Sequence, residues 1–120
     1  MFRIKSVLIC LLSFSILMIT ACDTGESQKQ KLSMAQNLVP HDQKIAEIYQ
    51  RTCRNCHTVI ATGAPLVGDK SAWSELIDQS GKSGLVDNVI KGKGGMPPFG
   101  LCMECDMDDF SKLIDFMAQQ

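Results

Sequence analysis

The chain has 120 residues, is 45% hydrophobic and 21% charged, and carries a formal net charge of -1. That is one small domain at most, and the balanced composition excludes collagen-like, low-complexity and wholly disordered chains. Without a basic excess there is no pull toward nucleic acid. The six cysteines leave three chemistries open in so short a chain: a disulfide scaffold, a zinc site or covalent haem attachment.

Arg3 and Lys5 precede an apolar run from Val7 to Ile19. A basic start followed by a run shorter than the roughly 20 residues of a spanning helix predicts an export signal. Ile19-Thr20-Ala21-Cys22 follows directly. This segment resembles the bacterial lipobox: an aliphatic residue, two small residues, then cysteine. The resemblance implies removal of residues 1–21 and lipid attachment at Cys22, with stable anchoring through several acyl chains. It places the protein in the bacterial cell envelope, on the periplasmic side. Asp23, next to the lipid cysteine, resembles an inner-membrane retention signal. Cys10 lies inside the apolar run and leaves with it.

Residues 22–40 are dominated by polar side chains, and are expected as a lipidated flexible tether. The folded unit is then 41–120. Ile45, Ile48, Tyr49 and Thr52 share one helical face, so a helix is predicted from Asp42 to Thr52 with His41 or Asp42 as its cap. Ser71 to Gln79 carries Trp73, Leu76 and Ile77 on one face, stopped by Gly81. Leu85 to Ile90 reads as a short helix ended by Gly92. In Asp106 to Ala118, Met107, Phe110, Leu113, Ile114 and Met117 form an apolar stripe. Asp106, Asp108 and Asp109 suit the positive end of its dipole. With no alternating strand pattern, the fold class is all-α, with four or five short helices and long loops. A unit of about 80 residues has a marginal core and needs a staple.

Cys53-Arg54-Asn55-Cys56-His57 ends the first helix of this unit. Two thiols three residues apart on one turn can each add to a haem vinyl group, which places the adjacent His57 as proximal ligand. Attachment needs export, and an export signal is predicted independently. Two other readings stand beside it. A zinc site could use Cys53, Cys56, Cys102 and Cys105, but the two pairs are about 45 residues apart against about 15 to 20 in a zinc ribbon. That reading also leaves His57 without a role. A thioredoxin-like redox pair lacks its βαβ surroundings. For a second axial ligand, Met96 in Gly94-Gly95-Met96-Pro97-Pro98 is favoured. Glycines let the backbone approach a flat macrocycle, and prolines fix the exit direction. Met107 and Met117 belong to a core stripe, Met34 to the tether, Met103 to the second cysteine pair, and His41 to the far end of the first helix. Tyr49 and Trp73 are read as packing residues, with haem contact as the alternative.

The upstream Cys53-x-x-Cys56-His57 and the downstream Met96-Pro97-Pro98 together resemble the class I c-type cytochromes, closest to the cytochrome c-5 group. Gly63-Ala64-Pro65-x-x-Gly68-Asp69-Lys70-x-x-Trp73 and Met96-Pro97-Pro98-x-Gly100-x-Cys102-x-x-Cys105 are typical of that group. Thr58 departs from the pattern, standing where relatives often have glycine, and so does Asp106, at a cap that is commonly serine. The resemblance implies a small cytochrome c fold around one covalent haem c and a Cys102–Cys105 disulfide. It implies His57 and Met96 as axial ligands, and one-electron transfer in the periplasm. The function expected is therefore that of a membrane-anchored monohaem carrier, not an enzyme. It would shuttle electrons between redox proteins of the respiratory chain, as a monomer. The alternatives are a haem-based ligand sensor, or a haem subunit of an oxidoreductase complex, with Met96 displaceable; a structural zinc module is the third.

Overall fold

Five α-helices order the described residues: α1 Thr24–Asn37, α2 Gln43–Arg51, α3 Arg54–His57, α4 Lys70–Lys91 and α5 Met107–Ala118. Two 3-10 turns, Ile60–Thr62 and Pro98–Leu101, lie in the long loops. These come from a computed structural model, which describes residues 24–119. The predicted signal and the lipid-attachment residue Cys22 lie outside the described residues. Among the described residues there is no strand, only an isolated bridge between Lys93 and Met96. The fold is all-α, as the sequence predicts.

The core follows from the helix stripes. Asp42 caps α2, its side chain accepting from the Ile45 N–H at 2.9 Å. This sets Ile45, Ile48 and Tyr49 inward, where all three are buried. Opposite them, α5 buries Phe110, Leu113, Ile114 and Met117. A capping box starts α5: the Asp109 N–H donates to Asp106 at 2.9 Å, and the Asp106 N–H donates back to Asp109 at 3.4 Å. The two helices meet where the Tyr49 and Phe116 rings pack edge to face, 4.9 Å apart, and where Lys44 pairs with Asp109 at 2.5 Å. The acidic residues ahead of and within α5 have local structural partners: Asp106 caps, Asp108 pairs with Lys112, and Glu104 pairs with Arg51.

Three expectations are corrected. The segment expected as a flexible tether is helical over Thr24–Asn37 and docked on the domain. Its polar residues are mostly good helix formers, and its few apolar ones settle on the core: Ala35 is fully buried, with Leu32 and Leu38 packed beside it. The helices predicted at Ser71–Gln79 and Leu85–Ile90 adjoin as α4, with Gly81 (φ 66°, ψ 166°) as a kink between them. Gly81 breaks the helical backbone without separating the two arms, and Lys82 anchors the second arm to Asp115 of α5 at 2.5 Å. Met107 is not part of the α5 core stripe and is 68% exposed. As the first residue of α5 it leans toward the helix N-terminus, beyond the surface that α4 and α2 cover.

Candidate functional site

The Cys53-to-His57 turn leaves α2 through Thr52, whose hydroxyl donates to the Ile48 carbonyl at 2.6 Å. The His57 and Cys56 N–H groups both donate to the Cys53 carbonyl, at 3.0 and 3.2 Å. One tight turn therefore carries both thiols and the imidazole. Neither thiol is in a disulfide; Cys53 is half-buried and Cys56 exposed. Burial pushes the Cys53 thiol up, against a smaller lowering effect of its contact with the Thr52 hydroxyl at 3.4 Å.

His57 is held by Pro65 and Val67 of the following loop and by Trp73 of α4. Its Nδ1 lies 2.8 Å from the Pro65 carbonyl oxygen. A carbonyl only accepts, so Nδ1 carries the proton and Nε2 keeps its lone pair. The Val67 N–H donates to the His57 carbonyl at 3.0 Å. Trp73 lies alongside, its ring 5.7 Å from the imidazole, and its indole N–H donates to the Leu66 carbonyl at 2.8 Å. His57 is 6% exposed. Burial lowers its pKa against the Pro65 hydrogen bond, so the ring is a neutral donor suited to a metal.

Met96 stands on a separate turn beyond α4. Lys93 and Met96 exchange both backbone hydrogen bonds, at 3.1 and 3.0 Å, around Gly94 at φ 60°. Gly92 (φ 79°) lets this turn close: a Cβ there would stand 2.9 Å from the Met96 carbonyl oxygen and 3.0 Å from the Pro98 nitrogen. The Met96 methyl group occupies the space beside Gly100, 3.1 Å from where a Cβ would be. Phe99, Gly100 and Leu101 all have positive φ (60°, 53° and 69°). For Phe99 and Leu101 this stores strain beside the predicted ligand. The chain then reaches Cys102 and Cys105, whose Sγ atoms are 1.93 Å apart and Cα atoms 5.4 Å apart.

These positions do not suit the zinc reading. Cys102 and Cys105 face each other, and among the described residues no group of three or more His, Cys, Asp or Glu side chains gathers to hold a metal ion. An open cavity of about 480 Å³, lined by Leu38, His41, Ile45, Lys112 and Phe116 among others, contains none of the predicted site residues.

Residues 40–117 match the family model described as cytochrome c oxidase, cbb3-type, subunit III. The chain belongs to the cytochrome c family. It is 37% identical to cytochrome c5 of Ectopseudomonas mendocina over 73 residues, which span 60% of this chain and 84% of that protein. It is 46% identical to cytochrome c-555 of Chlorobaculum tepidum over 56 residues, 43% of this chain and 51% of that one. A solved cytochrome c, from an electron-transfer complex with nitrite reductase, superposes with a TM-score of 0.55 at 34% identity, over 65% of this chain and 94% of that chain. Members of the family bind haem c covalently and carry electrons, and bacterial c-type cytochromes are usually periplasmic.

The residues present fit that cofactor. Two free thiols lie one turn apart, next to a neutral imidazole with Nε2 available. The Tyr49 hydroxyl is a buried polar group without a partner among the described residues, and burial pushes its pKa up. Sequence reasoning did not assign the Pro65 carbonyl that orients His57. A backbone carbonyl carries no residue-type signal. Nor did it assign Gly92 its close approach to Met96, since that glycine already had a reading as a helix stop.

Proposed function

We propose that this cytochrome is a monohaem electron carrier. Cys53 and Cys56 are the attachment thiols, His57 and Met96 the axial ligands, and Cys102–Cys105 a disulfide that closes the distal loop. The observation that carries the reading is the His57 ring, fixed by Pro65 so that Nε2 remains free beside two free thiols. Haem c supplies, when bound, a one-electron couple. The protein's part is to hold its surroundings still. Pro65 fixes the tautomer and orientation of His57, Trp73 closes its flank, and Gly92 and Gly94 shape the turn that presents the Met96 thioether. His/Met ligation favours a raised potential and a closed coordination sphere, as an electron carrier requires.

The cellular setting belongs to the same proposal. A lipid on Cys22 holds the domain on the periplasmic side, at the inner membrane according to Asp23, where respiratory redox proteins are its partners. Thr24, two residues after Cys22, already lies in α1, so the lipid is attached close to a docked helix. The domain then stays close to the bilayer rather than swinging on a long leash.

A pyridine haemochrome spectrum of the purified protein should be of the c type, with one haem per chain. The ferrous protein should not bind carbon monoxide, and Met96→Ala should. Ready carbon monoxide binding by the unaltered protein would replace the carrier with a ligand-binding haem protein. Cys22→Ser should move the protein from membranes to the soluble fraction; unchanged membrane association would remove the lipid anchor.

A further inference from the structure

The helix α1 lies before residue 40, where the family match begins. It is nevertheless built into the domain, and its polar contacts with other elements fall on two short segments. The first is the thiol turn, where Arg54 donates from Nη2 to the Gln36 carbonyl at 3.2 Å. The second is the loop that holds His57. Lys31 pairs with Asp69 at 3.0 Å and donates to Ser71 at 3.4 Å. Leu38 and Met34 press on Gly68, their Cδ1 and Cε only 2.7 and 3.1 Å from where a Cβ would stand. Ala35, on the same helix, is fully buried.

We infer that α1 is a brace that positions His57, with Lys31, Gln36 and Arg54 as its polar fastenings and Ala35, Leu38 and Gly68 as its apolar seat. The geometry gives the reason. Arg54 lies three residues before His57, and Gly68 and Asp69 directly follow Val67, whose N–H binds the His57 carbonyl. The Pro65–His57 hydrogen bond spans these two segments. A helix fastened to both limits their separation and thereby protects that bond. The far side of the loop is pinned as well, since the Gly68 N–H donates to the Met117 carbonyl of α5 at 2.7 Å. Partners that orient a metal-binding histidine tune its basicity and hold its tautomer. The contribution of α1 is therefore to the proximal ligand as well as to stability.

The inference rests on His57 being the axial ligand, and the haemochrome spectrum tests that separately. Three full-length variants test the brace: Lys31→Gln, Arg54→Gln, and Ala35→Glu, which places a charge in the seat. Release of α1 is read by trypsin cleavage at Lys29 and Lys31 (at Lys29 alone in Lys31→Gln). The state of the histidine is read by hydrogen exchange of its Nδ1–H and by the midpoint potential. In the unaltered protein, α1 should resist trypsin. Each variant should exchange the ring proton about tenfold faster, as local opening becomes easier, and should shift the potential. Lys31→Arg should restore both. Should Ala35→Glu fail to fold, the two milder variants decide. If α1 is cleaved readily in the unaltered protein, or is released in a variant with ring exchange and potential unchanged, α1 is packing alone and the inference is wrong.

Discussion

The imidazole of His57 and the carbonyl of Pro65, eight residues apart in sequence, meet at 2.8 Å. This contact fixes which ring nitrogen keeps its lone pair, and its geometry depends on the loop that Trp73 ties down. Trp73 is 4% exposed and donates to the Leu66 carbonyl, next to Pro65. Trp73→Phe keeps a ring in place but removes one of two hydrogen bonds on that carbonyl, which also accepts from the Asp69 N–H at 3.1 Å. The expected cost is about 0.5–1.5 kcal/mol, read as a lowered melting temperature, by roughly 4–8 °C for each kcal/mol in a domain of this size.

Gly92→Ala should act on the turn that carries Met96, the proposed second ligand. The contacts a Cβ would meet are the Met96 carbonyl oxygen and the Pro98 nitrogen and Cδ, at 2.9 to 3.1 Å, and the backbone atoms among them have no rotamer by which to yield. The positive φ adds strain of about 1 kcal/mol or more. The Met96 turn must therefore shift. We expect the ferrous variant to gain carbon monoxide binding while its helical circular dichroism stays near that of the parent. A variant that stays closed to carbon monoxide would show that the turn shifts without releasing Met96.

What was legible in the sequence was what depends on periodicity and local spacing. The stripes of α2 and α5 predicted their buried faces because 3.6-residue spacing maps directly onto one side of a helix. The family resemblance singled out Cys53, Cys56, His57 and Met96 because their order is distinctive. The structure draws the first three onto one turn. The docking of α1 was hidden because its face is thin: Leu32, Ala35 and Leu38 among polar neighbours look like a solvated segment. Their significance lies in distant contacts, such as that of Leu38 with Gly68, thirty residues away. The kink at Gly81 was read as a stop for the same reason, since a positive φ ends a helix unless tertiary contacts such as Lys82–Asp115 carry the chain onward.

Tyr49 offers a test of the cofactor's reach. It is fully buried, its hydroxyl has no partner among the described residues, and burial pushes its pKa up to about 12. A stranded hydroxyl costs about 1–3 kcal/mol, so Tyr49→Phe should leave thermal stability unchanged or raise it by about 1 kcal/mol while the contact with Phe116 persists. A clear loss of stability confined to the haem-loaded protein would instead show that a haem carboxylate takes that hydrogen bond.

Asp109 predicts how the fold responds to acid. Its carboxylate is held below the usual range chiefly by the hydrogen bond from Lys44, and further by the Asp106 N–H, against a smaller opposing effect of burial. A carboxylate with a depressed pKa in the folded state stabilises that state fully above its unfolded value of about 3.9, and the contribution disappears as pH falls through the lower folded value. Asp109→Ala removes both the capping-box acceptor and the link between α2 and α5, so at pH 7 it should cost about 1 kcal/mol. Between pH 5 and the folded pKa, parent and variant should converge, because the parent alone loses this carboxylate's contribution. Urea unfolding across that range measures the gap. A gap that stays constant down to the lowest pH would mean that Asp109 acts through its shape and not its charge, and that the Lys44 pair adds nothing to the fold.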